Sequence, residues 1–575
     1  MGLSHSQIVH SPQFFLITQS AGLRKVRRLW YNCFMPKTII IHRDYTRFSS
    51  FYQLKLPFEL ELSIPADDPV RLVSAFVEEM DLSDLYKTYD RIRKHQASPR
   101  QLLKIVLYAA MNRIYSSRDI ERSCRRDINF MYLLEGKPVP DHATIARFLS
   151  LHFSCCSKDL LSKMTGLLYH AGEVSGKTIF IDGTKIESVA NKYTFVWKKT
   201  VTGNQAKLLE KLEVFVAECE ELYGIRTVYH DTIDIGTLKR LRKQLLRIRE
   251  EEGIVFVTGI GHRKSALQKS VEELDTYMQR LNGYSEKLAV LGTRNSFAKT
   301  DPDATFMRMK EDAMCNGQLK PAYNIQHGVD SEYITWVDIS AHPTDTRTLI
   351  PFLKDMEKHL PFKYTEIVAD AGYESEENYA FIEQNGQLSF IKPTNYEIAK
   401  KRSYRTDISR PENMAYDNDH DRYICKAGKE LRILYERNPK NESGYQRHIT
   451  IYGCTDCTGC PHKTACIKGN NCNTPMAERN KTIQVSKPMK AYREEDLKRI
   501  TSEYGTMLRM NRSIQAEGSF ADVKEDMGFR RYLYRGRRNA LAESIVLAMA
   551  RNINKLHCRI QSGRLGLHLY PMKAV

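Results

Sequence analysis

The sequence predicts an α/β protein whose sheet is interrupted by insertions and preceded by a helical region. Three observations lead there. Short apolar runs bounded by turn residues, such as KTIFIDG and TEIVADAG, have the pattern of buried strands. Other stretches repeat apolar residues three and four apart, as amphipathic helices do. From AYNIQHGVD to LSFIKPT the two patterns alternate along the chain.

At 575 residues the chain is long enough for several domains, each with its own core. That size excludes a small disulfide-stapled scaffold, and the ordinary composition excludes a disordered or collagen-like chain. No apolar run reaches the roughly 18 residues a membrane span needs. The longest, LLKIVLYAAM, is short and contains Lys104. The N-terminus lacks the layout of a secretory signal. A soluble, cytoplasmic protein without a membrane partner is expected.

Residues 1–34 are acid-free and irregular, and Met35 opens a better-patterned stretch, which makes it a candidate native start with a basic tail upstream. Residues 70–155 read as helical. Ser98-Pro99 has the form of an N-cap followed by proline at the first helical position, leading into RQLLKIVLYAAMNR. RDIERSCRRDINFMYLL follows Ser116-Ser117, and Asp141 caps HATIARFLSLH. A helix-turn-helix variant and a plain bundle both fit this pattern. The strand KTIFIDGTKIES comes next.

Three apolar stripes follow: Leu208, Leu212, Phe215, Cys219 and Leu222; Leu238, Leu241, Leu245 and Ile248; and Leu267, Val271, Leu274, Met278 and Leu281. None lasts four heptads, so they predict an inserted helical hairpin or bundle rather than a zipper. AYNIQHGVD and YITWVDIS predict a strand hairpin around Asp330-Ser331. The helix TRTLIPFLKDMEKHL, the strand TEIVAD, the helix SEENYAFIEQNG and the strand LSFIKPT complete the alternation. Residues 400–480 read as polar and irregular. Helices around 490–527 and in ALAESIVLAMARNINKLH close the chain.

The net charge is +18, and it is clustered. Residues 1–34 carry +4, residues 91–127 carry +7, and residues 528–575 carry ten basic residues against the single acid Glu543. Such clustering points to a polyanionic partner; solvated helix faces are the plain alternative. Of 13 cysteines, Cys454, Cys457, Cys460 and Cys466 fall within GCTDCTGCPHKTAC, with Cys425 and Cys472 outside it. The C-x2-C-x2-C spacing can set thiolates around a tetrahedral Zn²⁺, with His462 or Cys466 completing the set. Free thiols and a redox cluster are the alternatives.

TIFID and EIVAD each end an apolar run on an aspartate, Asp182 and Asp370, with glycine within two residues. The strand ends and a sharp turn are expected there, at the sheet edge where sites are assembled. Two neighbouring aspartates in a basic protein suit Mg²⁺, a hard cation that leaves room for phosphate oxygens. Glu517 is the candidate third carboxylate, with Lys524 seven residues on and on the same helical face; Glu543 competes with it.

Together, IDGTKIESVANKY, KTDPDATFMRMK, KPAYNIQHGVDS, VADAGYES and EGSFADVKEDMGFRRYLYRGR resemble bacterial insertion-sequence transposases of the DDE type, over residues 35–560. The resemblance implies a ribonuclease H-like mixed sheet at 166–200, 318–400 and 490–560. It also implies a helical DNA-binding domain at 35–165, a helical insertion at 201–300 and a cysteine-rich insertion at 401–489. Asp182, Asp370 and Glu517 would bind Mg²⁺ or Mn²⁺. Lys524, Arg512, Arg530 and Arg531 would contact DNA, and Cys454, Cys457, Cys460 and Cys466 would be a candidate Zn²⁺ site. Implied partners are double-stranded DNA, as terminal inverted repeats and target, and a second copy in a synaptic homodimer; the setting would be a bacterial nucleoid. Of the related Y-x2-R-x3-E-x6-K signature, Glu517 and Lys524 fit, but Met510 and Ser513 stand at the tyrosine and arginine positions, and Arg512 is one residue away. A nuclease of the same fold without strand transfer, and a non-catalytic zinc-containing DNA-binding protein, are the rival functions.

Overall fold

The computed structural model describes residues 64–229, 232–259, 262–309, 317–469 and 472–571. The basic tail and the candidate start at Met35 lie outside the described residues. The strands of the first two-thirds of the chain are β1 (Thr178–Glu187), β2 (Phe195–Trp197), β3 (Ser296–Ala298), β4 (Thr305–Arg308), β5 (Leu319–Asp330), β6 (Tyr333–Ser340), β7 (Glu366–Ala369) and β8 (Leu388–Ile391).

The central sheet runs β6-β5-β1-β7-β8, and β4 pairs with the first residues of β5 on the β6 side. β1 is antiparallel to β5 and parallel to β7, which is parallel to β8. This order and these directions make a mixed, ribonuclease H-like sheet. The hairpin from β5 to β6 turns at Ser331 and Glu332, whose φ of +55° and +65° suit a two-residue connection.

β1 and β7 read as near-continuous apolar runs because helices cover both faces. On one face Ile179, Ile181, Ile367 and Ile391 pack with Leu349, Phe352 and Met356 of the helix Leu349–His359. On the other, Phe180, Val368 and Phe390 meet Ile500, Leu508 and Ala516. Those three residues come from the helices Lys487–Thr501 and Glu503–Arg512 and from the turn that follows. Asp182, two residues after Phe180, shares this second face.

The N-terminal helix Pro99–Met111 starts with a complete capping box: Gln101 N–H donates to Ser98 Oγ (3.3 Å) and Ser98 N–H to Gln101 Oε1 (2.8 Å). It packs against the C-terminal helix Arg537–Ser562. Asn552 of that helix accepts from Ile334 N–H and donates to its carbonyl, both at 2.8 Å, which satisfies the outer edge of β6.

β2 and β3 pair at the base of an insertion of three helices, Lys198–Tyr223, Ile235–Glu251 and Ala266–Leu291. Leu208, Leu212, Phe215, Leu238, Leu241, Leu245, Leu267, Val271 and Leu274 form its core. Leu222 does not join them; it is exposed at the helix end.

Two expectations need correction. Residues 400–480 are not irregular. β9 (Ala415–Asp417), β10 (Arg422–Ile424), β11 (Glu430–Arg437), β12 (Ile449–Cys454) and β13 (Thr482–Val485) make an antiparallel sheet in the order β13-β12-β11-β10-β9. Most of β11 is solvent-exposed on both faces, so it shows no apolar alternation. β1 also does not end at Asp182. It continues to Glu187, held by β5, past the point where β7 stops. Gly183 is a strand residue.

Candidate active site

The register of β1 on β7 pairs Ile181 with Ala369, so the next positions, Asp182 and Asp370, lie side by side at the carboxyl edge of the parallel pair. Asp370 immediately precedes the short turn Ala371–Tyr373, its carbonyl accepting from Tyr373 N–H (3.0 Å). The candidate third carboxylate, Glu517, comes from the helix on the same face. The α-helix Glu503–Arg512 widens into a π-helical turn, Ser513–Glu517, packed against β1 and β5. Arg512 donates from Nη2 to Glu517 Oε1 (2.6 Å), and its Nη1 lies 4.0 Å from Asp182 Oδ2. Ser513 Oγ donates to Glu517 Oε2 (3.0 Å). One guanidinium thus links two of the three acids.

The π turn also accounts for the displaced arginine of the sequence signature. A π turn takes one residue more than an α turn, so Arg512, five residues before Glu517, reaches it as an arginine four before would in an α-helix. The same shift moves the tyrosine position to Arg509, and the tyrosine stays missing. A second π segment, Asp522–Asp526, carries Lys524, so seven residues no longer make two turns from Glu517, and the lysine is buried at 8% exposure. This corrects the same-face expectation.

The helix is fastened to the sheet at His327, the β5 partner of Asp182. Its ring stacks on Phe520 (4.0 Å between centroids, 17°), and its Nδ1 lies 3.1 Å from Ser519 Oγ. Burial, and then Arg551, push His327 down to about 3, so the ring is a neutral packing element.

A polar layer on the opposite face supports the aspartates. Gly183 faces Gln326. Gln326 accepts a hydrogen bond from the Tyr373 hydroxyl and donates to Asn324 Oδ1 (3.1 Å), and Asn324 Nδ2 donates to Asp345 Oδ1 (2.8 Å). Asp345 lies against both Gly183 and Gly372, the backbones beside Asp182 and Asp370. Burial, followed by the charges of Asp345, Asp182 and Asp370, raises Tyr373 well above the usual phenol range.

The remaining candidates are placed as follows. Arg530 pairs with Glu525 (2.6 Å) at the surface. Arg531 is half-exposed, but its guanidinium donates to the carbonyls of Ser188 (3.2 Å) and Val189 (3.0 Å), while Tyr532 N–H donates to the Glu187 carbonyl (2.9 Å), so this segment extends the sheet beside β1. Glu543 lines an apolar cavity with Val106, Tyr115 and Phe529 and accepts from Leu533 and Tyr534 N–H, away from both aspartates. Burial raises it to about 8. Cys454, Cys457, Cys460 and Cys466 line one cavity with His462, and Cys425 joins them. Among the described residues no three His, Cys, Asp or Glu side chains are grouped closely enough to hold a metal ion as they stand. Carboxylate oxygens are the hard donors a divalent cation prefers, and Arg512 places positive charge between Asp182 and Glu517.

Residues 58–151 match the family model of a transposase domain (DUF772), and residues 424–557 match that of a transposase DDE domain. Both matches are to transposase families, and together they support an insertion-sequence DDE transposase. Neither a curated protein nor a solved structure gives a significant match. The DDE-domain match includes Glu517 and Arg512, whereas Asp182 and Asp370 lie outside both matched segments. Sequence reasoning missed Gln326, His327, Asp345 and Tyr373, because only strand register brings them to the aspartates. It also missed Cys425, for which the glycine three residues on, marking a turn, was the available signal. No described helix is long and apolar enough to cross a membrane.

Proposed function

We propose that this chain is a transposase that binds the terminal inverted repeats of its element and carries out divalent-metal-dependent cleavage and strand transfer, with two copies pairing the two ends. The observation that supports this most directly is the juxtaposition of Asp182 and Asp370 on adjacent parallel strands, with Arg512 joining Glu517 to Asp182. Asp182, Asp370 and Glu517 would hold Mg²⁺ or Mn²⁺, which supplies Lewis-acid activation of a water or a 3′-hydroxyl and charge stabilisation at the phosphate. Arg512 keeps Glu517 beside Asp182 and limits repulsion among the acids. The Asp345–Asn324–Gln326–Tyr373 layer fixes the strand positions that aim them.

Of the cations, Arg530 and Arg531 are exposed and are assigned to phosphates, whereas Arg512 and Lys524 are largely buried and act from within. In the N-terminal domain an open cleft lined by Arg91, Arg93, His95 and Arg147 is assigned to the element ends.

Asp182→Asn and Asp370→Asn, assayed on end-labelled transposon DNA, should abolish cleavage and joining and preserve end binding. Undiminished cleavage in either overturns the assignment. Glu517→Gln should behave like them, and Glu543→Gln should not. Cut products without joined products would favour the nuclease reading. Loss of DNA binding on metal removal, with silent carboxylate variants, would favour a non-catalytic zinc protein.

A further inference from the structure

We propose that Cys425, Cys457, Cys460 and Cys466 bind one structural Zn²⁺ that holds the β9–β13 sheet together, and that Cys454 is not a ligand. The β9–β13 region has a small core of Tyr423, Leu431, Tyr452, Cys454, Cys457, Ile483 and Val485. A core of that size rarely stabilises a stretch of more than 60 residues without a metal or a cross-link.

The thiols approach one cavity from two walls. Cys425 sits at the tight turn between β10 and β11. Its N–H donates to the Lys429 carbonyl (2.9 Å), and Gly428, at φ +72°, donates back to the Cys425 carbonyl (2.8 Å). The facing loop has a second tight turn, in which Cys460 N–H donates to the Cys457 carbonyl (3.4 Å) and Gly459 has φ +66°. Cys466 ends the helical turn Lys463–Cys466, its N–H donating to the His462 carbonyl (2.9 Å).

Lys481 lines the same cavity. Lys481 N–H donates to Cys457 Sγ (3.4 Å), and Lys481 Nζ, partly buried, donates to the Cys466 carbonyl (3.0 Å). Cys454 Sγ is instead directed at the Asp456 carbonyl (3.3 Å). Four sulfurs remain, the number a closed tetrahedral zinc site takes. The cysteines surround the cavity without yet closing a ligand set, and the ion draws them together.

The consequence reaches the active site. The inserted sheet docks on the helix Glu376–Gln384, which starts six residues after Asp370. Asn441 Nδ2 and Ser443 Oγ donate to Glu377, each at 2.7 Å, and Tyr445 Oη donates to Glu376 (3.2 Å).

The test is metal analysis of the purified full-length chain, a readout independent of catalysis. One tightly bound zinc per chain is expected, lost in Cys425→Ser, Cys457→Ser, Cys460→Ser and Cys466→Ser and kept in Cys454→Ser and His462→Ala. Wild-type protein keeps the test decisive if those variants misfold. Alkylation of the four cysteines should rise together on chelation, and Co²⁺ in place of zinc should give the spectrum of a tetrahedral all-thiolate site. The proposal is overturned by protein without zinc, by iron with acid-labile sulfide, or by zinc retained in Cys425→Ser and lost in Cys454→Ser.

Discussion

Gly183→Ala tests whether the polar layer sets the catalytic geometry. A methyl group built at residue 183 lies 2.5 Å from Gln326 Nε2, 2.9 Å from Asp345 Oδ1 and 3.0 Å from Gln326 Oε1. Gln326 is 1% exposed and cannot swing aside, because Tyr373 and Asn324 both hold it. Forcing a methyl into a packed site costs about 1–3 kcal/mol, and leaving the buried amide unpaired costs about 1–3 kcal/mol more. The total is about 2–6 kcal/mol, a large part of a typical domain's stability. The chain can avoid part of this cost by moving β1 outward, which carries Asp182 with it, and a shift of about 1 Å can lower a rate roughly 100-fold. Thermal melting together with cleavage of end-labelled DNA reads both effects. Adding Gln326→Ala removes the obstruction, so the two changes should couple by about 0.5–3 kcal/mol. An unchanged melting temperature and cleavage rate in Gly183→Ala would refute the reasoning.

Three further perturbations probe other parts of the molecule. Burial raises Glu543 to about 8 from an ordinary 4.5, so the folded state keeps a proton that the unfolded chain loses, and stability falls as pH rises through that window. Glu543→Gln should flatten the melting temperature between pH 5 and about 8, and equal slopes in the two proteins would contradict this. Arg512→Gln removes the cation bound to Glu517, so Mn²⁺ followed by electron paramagnetic resonance should bind more tightly while cleavage falls; unchanged Mn²⁺ affinity would count against the bridging role. Exposed Arg535→Ala should lower the salt slope of DNA binding by about 0.9, whereas Lys104→Met, at a 1% exposed lysine, should leave it unaltered, and equal effects would dissolve the distinction.

What the sequence made legible was local. An apolar run ending in aspartate needs only a few residues to declare itself; Asp370 follows the end of its strand as such a run suggests, whereas Asp182 lies beside it within a strand that continues to Glu187. Asp345 and Gln326 gave no such sign, since each matters only because register carries it to Gly183. The π turn before Glu517 left no compositional mark, so the arginine looked one residue out of place until the helix geometry explained the offset. The cysteine-rich sheet was hidden for a different reason. Its strands are short and one is mostly solvated, so strand periodicity had little to act on.

The basic clusters show where a charge count parts from a binding surface. Lys104 belongs to the +7 stretch, yet it lies in the core of the helical domain with Glu78 at 2.6 Å and Glu135 at 2.7 Å. In the C-terminal stretch Arg551 is paired with Asp522 (2.7 Å), Arg559 with Glu173 and Glu332 (both 3.1 Å), and Lys555 with Glu332 (3.0 Å). These charges anchor the last helix to β6 and to the segment after Glu517, and their acidic partners come from distant stretches that looked neutral. A sum along the chain assigns each charge to its sequence neighbours, whereas a phosphate responds to charges left exposed after folding. Of the cations that remain exposed at this end, Arg530, Arg531, Arg535, Arg537 and Arg538 precede or begin the last helix, and Arg564 follows it. A DNA path past the carboxylates is therefore better sought along residues 530–538 than over the helix that follows.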